Sequence, residues 1–599
     1  MVAKTPLPQS PRPWIPALIL AALGFLLYAG TLQHDYVMDD ASVIQENWVT
    51  RQGLAATGTI FTTPLRHGYR EWGGGSYRPL AQLTFAAEWQ ARPNSPALGH
   101  TVNALLYGGL CAAVFLLLLR LAGPLVAFVA TLWFTTHPLH TEVVANIKGR
   151  EDILCLGFGV LALLAFTACA RRAQGKHLAL AGLFYLAALL SKETAVTFIV
   201  LFPAALLLLR APVRRALSLS LAVLPSLAVY FALRAHALAN SQNPGIAPLD
   251  NFLVTALDFS TRLASAFAFV PKYAALLVYP HPLVSDYSYA QYDLTTWSNP
   301  QSLLGVALVV LVLAGMVWGL AKRHIAGFSL LFLAATFSLT SNLIVVIGSN
   351  FGERFLFAPS LGFALLAAWA FARLAGASTA NSLNWTSLAS RDRAVLVTGC
   401  LVALALSMGT VSRAADWKDE WTLYSTDVMR HPDSARLQYH FGLALSAASV
   451  HPDTPAQDRA SAREAALSRF YRALSIYPDF PDAHAAIGLT HLRGSDFGKA
   501  QEAFREAILQ NPASAEAFNN LAVCLLQMNN LDGAVAAARH ATEIRPHFTD
   551  AWRNLAAIHM ARKEYAQAVE TYRRTLSLEP WNQRTRRALA DAERMRDAP

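Results

Sequence analysis

A chain of 599 residues that is 54% hydrophobic and 15% charged, with a formal net charge of +10 and a mean hydropathy of +0.33, is too apolar for an ordinary soluble protein of several domains. The composition points to a polytopic membrane protein. Its basic balance lies in short loops and a basic C-terminal stretch, which argues against nucleic acid as a partner, and no glycine-rich phosphate loop suggests nucleotide-driven transport.

Runs long enough to cross a hydrocarbon core of roughly 30 Å at about 1.5 Å per residue begin at Trp14, Leu98, Leu121, Ile153, Leu178, Thr194, Ala216, Ser302, Ile325, Leu356 and Ala394. Eleven spans are therefore predicted. The first follows Lys4 and Arg12 and reads as an uncleaved signal anchor. From a cytoplasmic N-terminus, every even-numbered span returns to a basic stretch: Arg120; Arg171, Arg172 and Lys176; Arg210, Arg214 and Arg215; Lys322 and Arg323; Arg391 and Arg393. The alternation closes only if residues 251–280, with Arg262, Pro271 and Lys272, form an external amphipathic or re-entrant segment. The region after the eleventh span is then outside, and the sequon-like "NWT" at Asn384 falls in an inside loop, where it is expected to be unused.

Beyond about residue 413 the chain becomes rich in Ala, Arg, Asp and Glu with helical periodicity, which predicts a membrane domain over 1–412 and a soluble domain over 413–599. Pro478, Pro512, Pro546 and Pro580 recur at a spacing of 34, the period of tetratricopeptide repeats. Clear repeats run over about 481–582. Ile487, Gly488, Ala500, Phe504 and Ala507 fill the helix-pair core positions of one repeat. Phe518, Leu521, Ala522, Ala534, Ala538 and Ala541 fill those of the next, and Trp552, Leu555, Ala556, Ala568 and Tyr572 those of the third. An irregular repeat around Phe441, Gly442, Ala466, Phe470 and Ala473 carries the insertion "SVHPDTPAQDR", and "NQRTRRALADAERMRD" reads as a polar capping helix. The fold class is thus all-α, a membrane helix bundle followed by a repeat solenoid.

Polar residues concentrate on the predicted outer face. They comprise Asp39, Asp40 and "SYRPLAQLTF" (with Tyr77 and Arg78) after span one, "HPLHTEVVANIKGRED" after span three, "SKET" at the end of span five, and "GSNFGERFLFAPS" between spans nine and ten. A single charge near membrane depth is usually a snorkelling side chain, but four clusters on one face mark a functional site. The set offers carboxylates (Asp39, Asp40, Glu142, Glu151, Asp152, Glu193, Glu353), imidazoles (His137, His140) and cations (Arg78, Lys148, Arg150, Lys192, Arg354). A general base with phosphate-holding cations suits a transferase that uses a lipid-phosphate sugar donor. In a close carboxylate pair, each charge raises the pKa of the other acid. The competing reading makes Asp40 or Ser42 a helix N-cap. His137 and His140 with Glu142 read as helix-end or loop-positioning groups more readily than as a metal site. His100 and Asn103 read as interhelical hydrogen-bond glue, Glu353 and Arg354 as a possible mutual pair. The cysteines, at 111, 155, 169, 400 and 524, lie in or beside apolar runs or in a repeat core and give no case for a disulfide framework or zinc site.

At these residues the sequence resembles the transmembrane and tetratricopeptide-repeat (TMTC) O-mannosyltransferases of the GT-C class. The fragments "YVMDDASVIQEN", "SYRPLAQLTF", "HTVNALLY", "HPLHTEVVANIKGREDIL", "LLSKETAVT", "PHPLVSDYSY" and "GERFLFAPSLGF" are collinear with that family. The resemblance implies a GT-C fold with a catalytic acidic motif in the first external loop, here Asp39 and Asp40, which would hold and deprotonate an acceptor hydroxyl. It implies a polyprenyl- or dolichyl-phosphate-linked, mannose-like hexose as donor, a protein Ser or Thr as acceptor, and inversion at the sugar carbon. Donor and substrate contacts would fall on Tyr77, Arg78, His137, His140, Glu142, Arg150, Lys192, Glu193, Glu353 and Arg354. No metal is assigned; a divalent ion is the alternative. "HPLVSDYSY" is looser than the family's aromatic-rich segment and the repeat array is short. High Ala and Arg usage suggests a bacterial inner-membrane protein with an undecaprenyl donor, its N-terminus cytoplasmic and its repeats periplasmic to capture the acceptor. The alternatives are a membrane-anchored repeat scaffold for envelope assembly, which leaves the outer polar clusters unexplained, and a lipid-linked-sugar transporter, which has no need of the acidic pair or the repeats.

Overall fold

The computed structural model describes residues 13–69, 74–172, 175–239, 241, 245–289, 291–377, 388–452, 454–580 and 582–598. Lys4, Arg12 and Asn384 lie outside the described residues. Among the described residues, regular secondary structure is helical and no strand occurs. The chain divides into two compact units, residues 1–288 with 292–426, and residues 289–291 with 427–599.

In the first unit, seven helices are long and apolar enough to cross a membrane, by length and composition: Pro96–Ala122, Ile147–Cys169, Val213–Leu238, Phe259–Val278, Pro300–Ala321, Glu353–Leu374 and Ser390–Asp416. Five shorter apolar helices accompany them: Trp14–Leu27, Pro124–Thr136, Gly175–Ser191, Glu193–Leu208 and Ile325–Ser338. Over 251–280, where the sequence suggests a re-entrant or amphipathic external piece, the chain forms a short turn, Phe252–Thr255, and one continuous 20-residue helix, Phe259–Val278. Asp258 caps that helix by accepting the Thr261 N–H at 2.8 Å. Its cations meet aromatic faces, Arg262 over Phe259 at 4.8 Å and Lys272 over Tyr292 at 3.3 Å.

The apolar helices hand over to short irregular turns where the polar motifs stand. These turns are Ala29–Gln33, Ala41–Gln45, Pro138–His140, Ile147–Gly149, Glu193–Thr197 and Glu353–Leu356. Non-helical backbone at this level needs side-chain partners for its N–H and C=O groups. Asn47 supplies one at the turn Ala41–Gln45, donating its Nδ2 to the Ser42 carbonyl at 3.3 Å. At another, Asn103 donates to the carbonyls of Asn146 (3.0 Å) and Ile147 (3.3 Å).

The second unit is built from helix pairs: Ala435–Ala448 with Ala456–Ile476, Pro481–Arg493 with Phe497–Gln510, Ala515–Gln527 with Leu531–Ile544, and Thr549–Ala561 with Tyr565–Leu578. Helix Gln583–Asp597 closes the array. Ala500, Ala522, Ala534, Ala538, Ala541, Ala556 and Ala568 are fully buried, so the 34-residue spacing does mark a small-residue core. Gly488 shows why: a Cβ there would lie 2.7 Å from the buried ring of Phe504. Phe518 and Trp552 are half-buried instead of forming part of the sealed core, and the Trp552 indole donates to the Pro546 carbonyl at 2.9 Å. Part of the insertion joins the helix Ala456–Ile476, which reaches 21 residues.

Replacing Phe504 with Ala removes a fully buried ring and is expected to destabilise the repeat unit by about 3–5 kcal/mol. Urea titration of the full chain, read by proteolysis within 427–599, checks this; a shift indistinguishable from that of an exposed-site control would show that Phe504 does not anchor the array.

Candidate active site

The chain reaches the acidic pair through left-handed backbone at Met38 (φ 53°) and leaves it through a π-type turn, Ala41–Gln45. The two carboxylates have different partners. Asp39 keeps 40% of its side-chain surface exposed, accepts from Arg66 Nη2 at 2.7 Å and lies 3.5 Å from Lys148 Nζ. Asp40 is fully buried; its Oδ1 accepts the Lys148 N–H at 2.7 Å and its Oδ2 the Val37 N–H at 3.2 Å. Its side chain does not cap the following turn; the Ser42 hydroxyl donates back to the Asp39 carbonyl at 2.8 Å. The N-cap reading of Asp40 and Ser42 therefore does not describe their side chains.

The environments push the two acids apart. Burial disfavours the Asp39 charge, but Arg66, Lys148 and Arg354 outweigh that penalty and hold its carboxyl well below the ordinary range, so it is ionised. Burial pushes Asp40 up to about 7, against the stabilising N–H groups of Lys148 and Val37 and with the help of the neighbouring Asp39 charge.

Lys148 sits on the turn Ile147–Gly149, which depends on glycine at its end because a Cβ on Gly149 would lie 2.1 Å from the Val143 carbonyl oxygen. Its Nζ is 3.1 Å from Glu151 Oε1. The same oxygen meets the Arg78 guanidinium and, at 3.3 Å, Lys192 Nζ. Arg78 also forks onto Glu193, with Nε at 3.0 Å and Nη2 at 2.6 Å, and Lys192 reaches Asp152 at 2.6 Å. The loop after the first helix, the turn at 147–149 and the segment at 192–193 are thereby joined in one ion-pair layer.

The other residues expected from sequence divide between this layer and the surrounding frame. Arg150 is fully buried and pairs with Glu88, donating also to Asn103 Oδ1 (2.7 Å) and the Gly99 carbonyl (3.0 Å). The Tyr77 hydroxyl donates to the Phe61 carbonyl at 2.9 Å. His137 Nε2 lies 3.1 Å from the Leu277 carbonyl and its Nδ1 accepts the Leu139 N–H at 3.4 Å. His140 stands between the hydroxyls of Tyr107 and Ser360, each at 2.8 Å. Both rings are thus engaged at both nitrogens, and among the described residues no group of three or more His, Cys, Asp or Glu side chains is arranged to hold a metal ion. Glu353 and Arg354 do not pair with each other. Glu353 Oε1 accepts the Val284 N–H (2.5 Å) and the Tyr287 hydroxyl (2.7 Å), while Arg354 binds Glu142 through its N–H (2.8 Å) and Nη1 (2.5 Å). His100 Nε2 lies 3.2 Å from the Asp35 carbonyl, tying the long helix Pro96–Ala122 to the loop that carries the pair.

A small cleft opens beside the layer. Asp152, Lys192 and Arg354 line it together with Thr194, Thr336 and an apolar wall that includes Phe198 and Phe355. A cleft with an ammonium, a guanidinium and an apolar side can hold an anionic group attached to a hydrocarbon chain. Sequence reasoning missed Arg66 and Glu88: Arg66 stands alone in a polar loop, and no sequence spacing ties it to Asp39. Lys148, Glu151 and Asp152 belong to the polar set the sequence offers, but their individual contacts emerge only when the turn folds back.

Residues 485–547 and 549–592 each match a family model described as tetratricopeptide repeat. Over 92% of its length the chain is 24% identical to the human protein O-mannosyl-transferase TMTC3, covering 67% of that protein. It is 26% identical to Drosophila melanogaster Tmtc3 over 82% of this chain and 58% of that one. Mouse TMTC4 is 25% identical over 72% of this chain and 64% of its own length. The chain is thus similar to TMTC proteins over most of its length. It spans about two thirds or less of the length of these relatives. Among solved structures, the Arabidopsis OM64 TPR domain is 23% identical over 19% of this chain and 94% of that one, with a TM-score of 0.19. YrrB, described as a TPR protein with an unusual peptide-binding site, is 16% identical over 32% of this chain and 90% of that one, with a TM-score of 0.23.

Glu151 is 2% exposed and faces Arg78, Lys148 and Lys192. Glu151→Gln leaves these cations short of a partner and is expected to cost about 3–5 kcal/mol. Thermal unfolding of the detergent-solubilised full chain reads this; a melting temperature equal to wild type would remove Glu151 from the centre of the layer.

Proposed function

We propose that this integral membrane protein is a glycosyltransferase that moves a mannose-like hexose from a polyprenyl-phosphate donor to a protein Ser or Thr hydroxyl. The observation that carries the reading is the placement of an ionised, half-exposed Asp39 within the electrostatic reach of Arg354, which lines the cationic cleft with Lys192. The names of the relatives, protein O-mannosyl-transferases, supply the sugar and the acceptor class.

The donor phosphate lies against Lys192 and Arg354, with the polyprenyl chain along the apolar wall. The acceptor oxygen attacks the anomeric carbon from the face opposite the phosphate. The bond from that carbon to the phosphate oxygen breaks, its electron pair leaves on the phosphate, and the configuration inverts. An acid held as low as Asp39 does not deprotonate a resting hydroxyl. It orients the hydroxyl as a hydrogen-bond acceptor and takes the proton once attack has made the oxygen acidic. The cations offset the charge growing on the leaving phosphate. Glu151, Arg78 and Glu193 fix the frame in which those groups stand. The site faces the extracytoplasmic side, as the distribution of Lys and Arg favours, with one of the apolar helices not crossing, and the repeats present acceptor protein on that side.

Purified full chain, mixed with mannosyl- or glucosyl-phosphoryl polyprenol and a Ser/Thr peptide, is expected to transfer sugar. Asp39→Asn should lower turnover by about 100-fold or more while donor affinity holds. Absence of transfer or donor hydrolysis with any polyprenyl donor, alongside tight binding of envelope peptides, would replace the enzyme with a scaffold.

A further inference from the structure

The fully buried neighbour of Asp39 has no route to a substrate, yet it touches the machinery at a specific point. Asp40 spans from its own loop, at Val37, to the backbone of Lys148, 108 residues away in sequence. Lys148 is the residue whose ammonium lies between Asp39 (3.5 Å) and Glu151 (3.1 Å). A lysine has a flexible four-carbon stem and a compact charge, so the place of its ammonium depends on where its backbone is held. Three restraints hold that turn: the Asp40 carboxylate, Asn146 Oδ1 accepting the Lys148 N–H at 3.1 Å, and the close approach of Gly149 to Val143.

We infer that Asp40 is a positioning residue, which fixes the Lys148 backbone so that the Lys148 ammonium braces Asp39 in the orientation its role as base requires. The inference rests on the reading of Asp39 given above. An ionised Asp40 offers both oxygens to the two N–H groups. A protonated one turns one oxygen into a donor facing an N–H, so one of the two bonds is lost. Asp40 faces Asp39 and Tyr36 on its own loop, Arg150 from the helix Arg150–Arg172, and Lys148 from the turn, with Glu88 of Pro79–Ala91 paired to Arg150 behind it. Asp39 is held well below the ordinary carboxylate range, and burial with the nearby carboxylates pushes Tyr36 up to about 12. Asp40 itself, raised to about 7, is the acid brought into the neutral range.

The sign follows: loss of the Asp40 charge on acidification loosens the brace and lowers turnover, and recovery comes as pH rises. With mannosyl-phosphoryl polyprenol and the full chain, wild-type turnover is expected to fall about fivefold from about pH 8 to about pH 6. Asp40→Asn should show a flat profile, with turnover at the upper pH lowered about tenfold and the donor KM within about twofold. Lys148→Met keeps the backbone N–H that Asp40 holds but lacks the ammonium, so its profile should also be flat. A merely structural Asp40 would leave the acid limb in Lys148→Met, and that result overturns the inference. So does an Asp40→Asn loss as deep as that of Asp39→Asn at every pH, which would put Asp40 in the chemistry, or an unchanged Asp40→Asn. If Asp40→Asn does not fold, the Lys148→Met profile decides alone.

A second readout needs no turnover, and so separates this inference from the proposed activity. Acylation of Lys148 Nζ by acetic anhydride, followed by mass spectrometry, should rise about threefold or more in Asp40→Asn as the ammonium leaves its two carboxylates. The same rise should appear in wild type on acidification, after normalising to an exposed lysine. Equal labelling in both proteins overturns the inference whether or not sugar is transferred. Normal turnover by Asp39→Asn, with the labelling rise intact, would instead remove the base assignment and leave the Asp40 restraint standing.

Discussion

One carboxylate oxygen, Glu151 Oε1, organises the polar layer. Arg78, Lys148 and Lys192 all converge on it, each arriving from a different part of the chain. Burying a charge costs several kcal/mol unless it is paired and hydrogen-bonded, so none of the three cations can settle independently of the others. Folding of the loop after the first helix, of the turn at Ile147–Gly149 and of the end of helix Gly175–Ser191 is therefore coupled through a shared counter-ion. That coupling holds Asp39 and Lys192 within one electrostatic neighbourhood.

Adjacent acids usually share one environment, but here they divide it. Left-handed backbone at Met38 and the π-type turn after Asp40 bracket a carboxylate with two cationic partners and a carboxylate with two backbone N–H partners. The first has exposure and charge; the second has burial and a structural anchor. The pair thus gives one acid whose ionisation is secured by cations and another whose ionisation is opposed by burial, from two identical side chains.

Much of the architecture was legible because it depends on local periodicity. The 34-residue recurrence of Pro478, Pro512, Pro546 and Pro580 located the helix pairs, and the fully buried alanines follow from it. Phe518 and Trp552 were misjudged as core because a repeat pattern marks a position without saying how much of a large ring the neighbouring repeat covers. Over 251–280 the charges were visible in the sequence, but their aromatic partners, Phe259 and Tyr292, were not. Within the site, the motifs carrying Asp39, Arg78, Lys192 and Arg354 were visible as polar clusters in an apolar chain. The links of Asp39 to Arg66 and of Arg150 to Glu88 were not, since pairing across tens of residues is set by tertiary folding. His137, His140 and Tyr77 look alike as polar residues in sequence; their backbone and hydroxyl partners reveal side chains that secure the frame.

The short apolar helices bear on the surrounding lipid. At about 1.5 Å per residue, helices of 10–17 residues reach no more than about 26 Å, less than a hydrocarbon core of roughly 30 Å. Each of the five abuts one of the polar segments: Trp14–Leu27 leads to the acidic loop, Pro124–Thr136 to His137, Gly175–Ser191 to Lys192, Glu193–Leu208 begins there, and Ile325–Ser338 runs toward Glu353. A local dimple in the bilayer is one relief of such hydrophobic mismatch. A dimple brings water and lipid headgroups down to the ion-pair layer, so an amphiphile with a long tail would meet Lys192 and Arg354 with its polar end already at their depth, without leaving the leaflet.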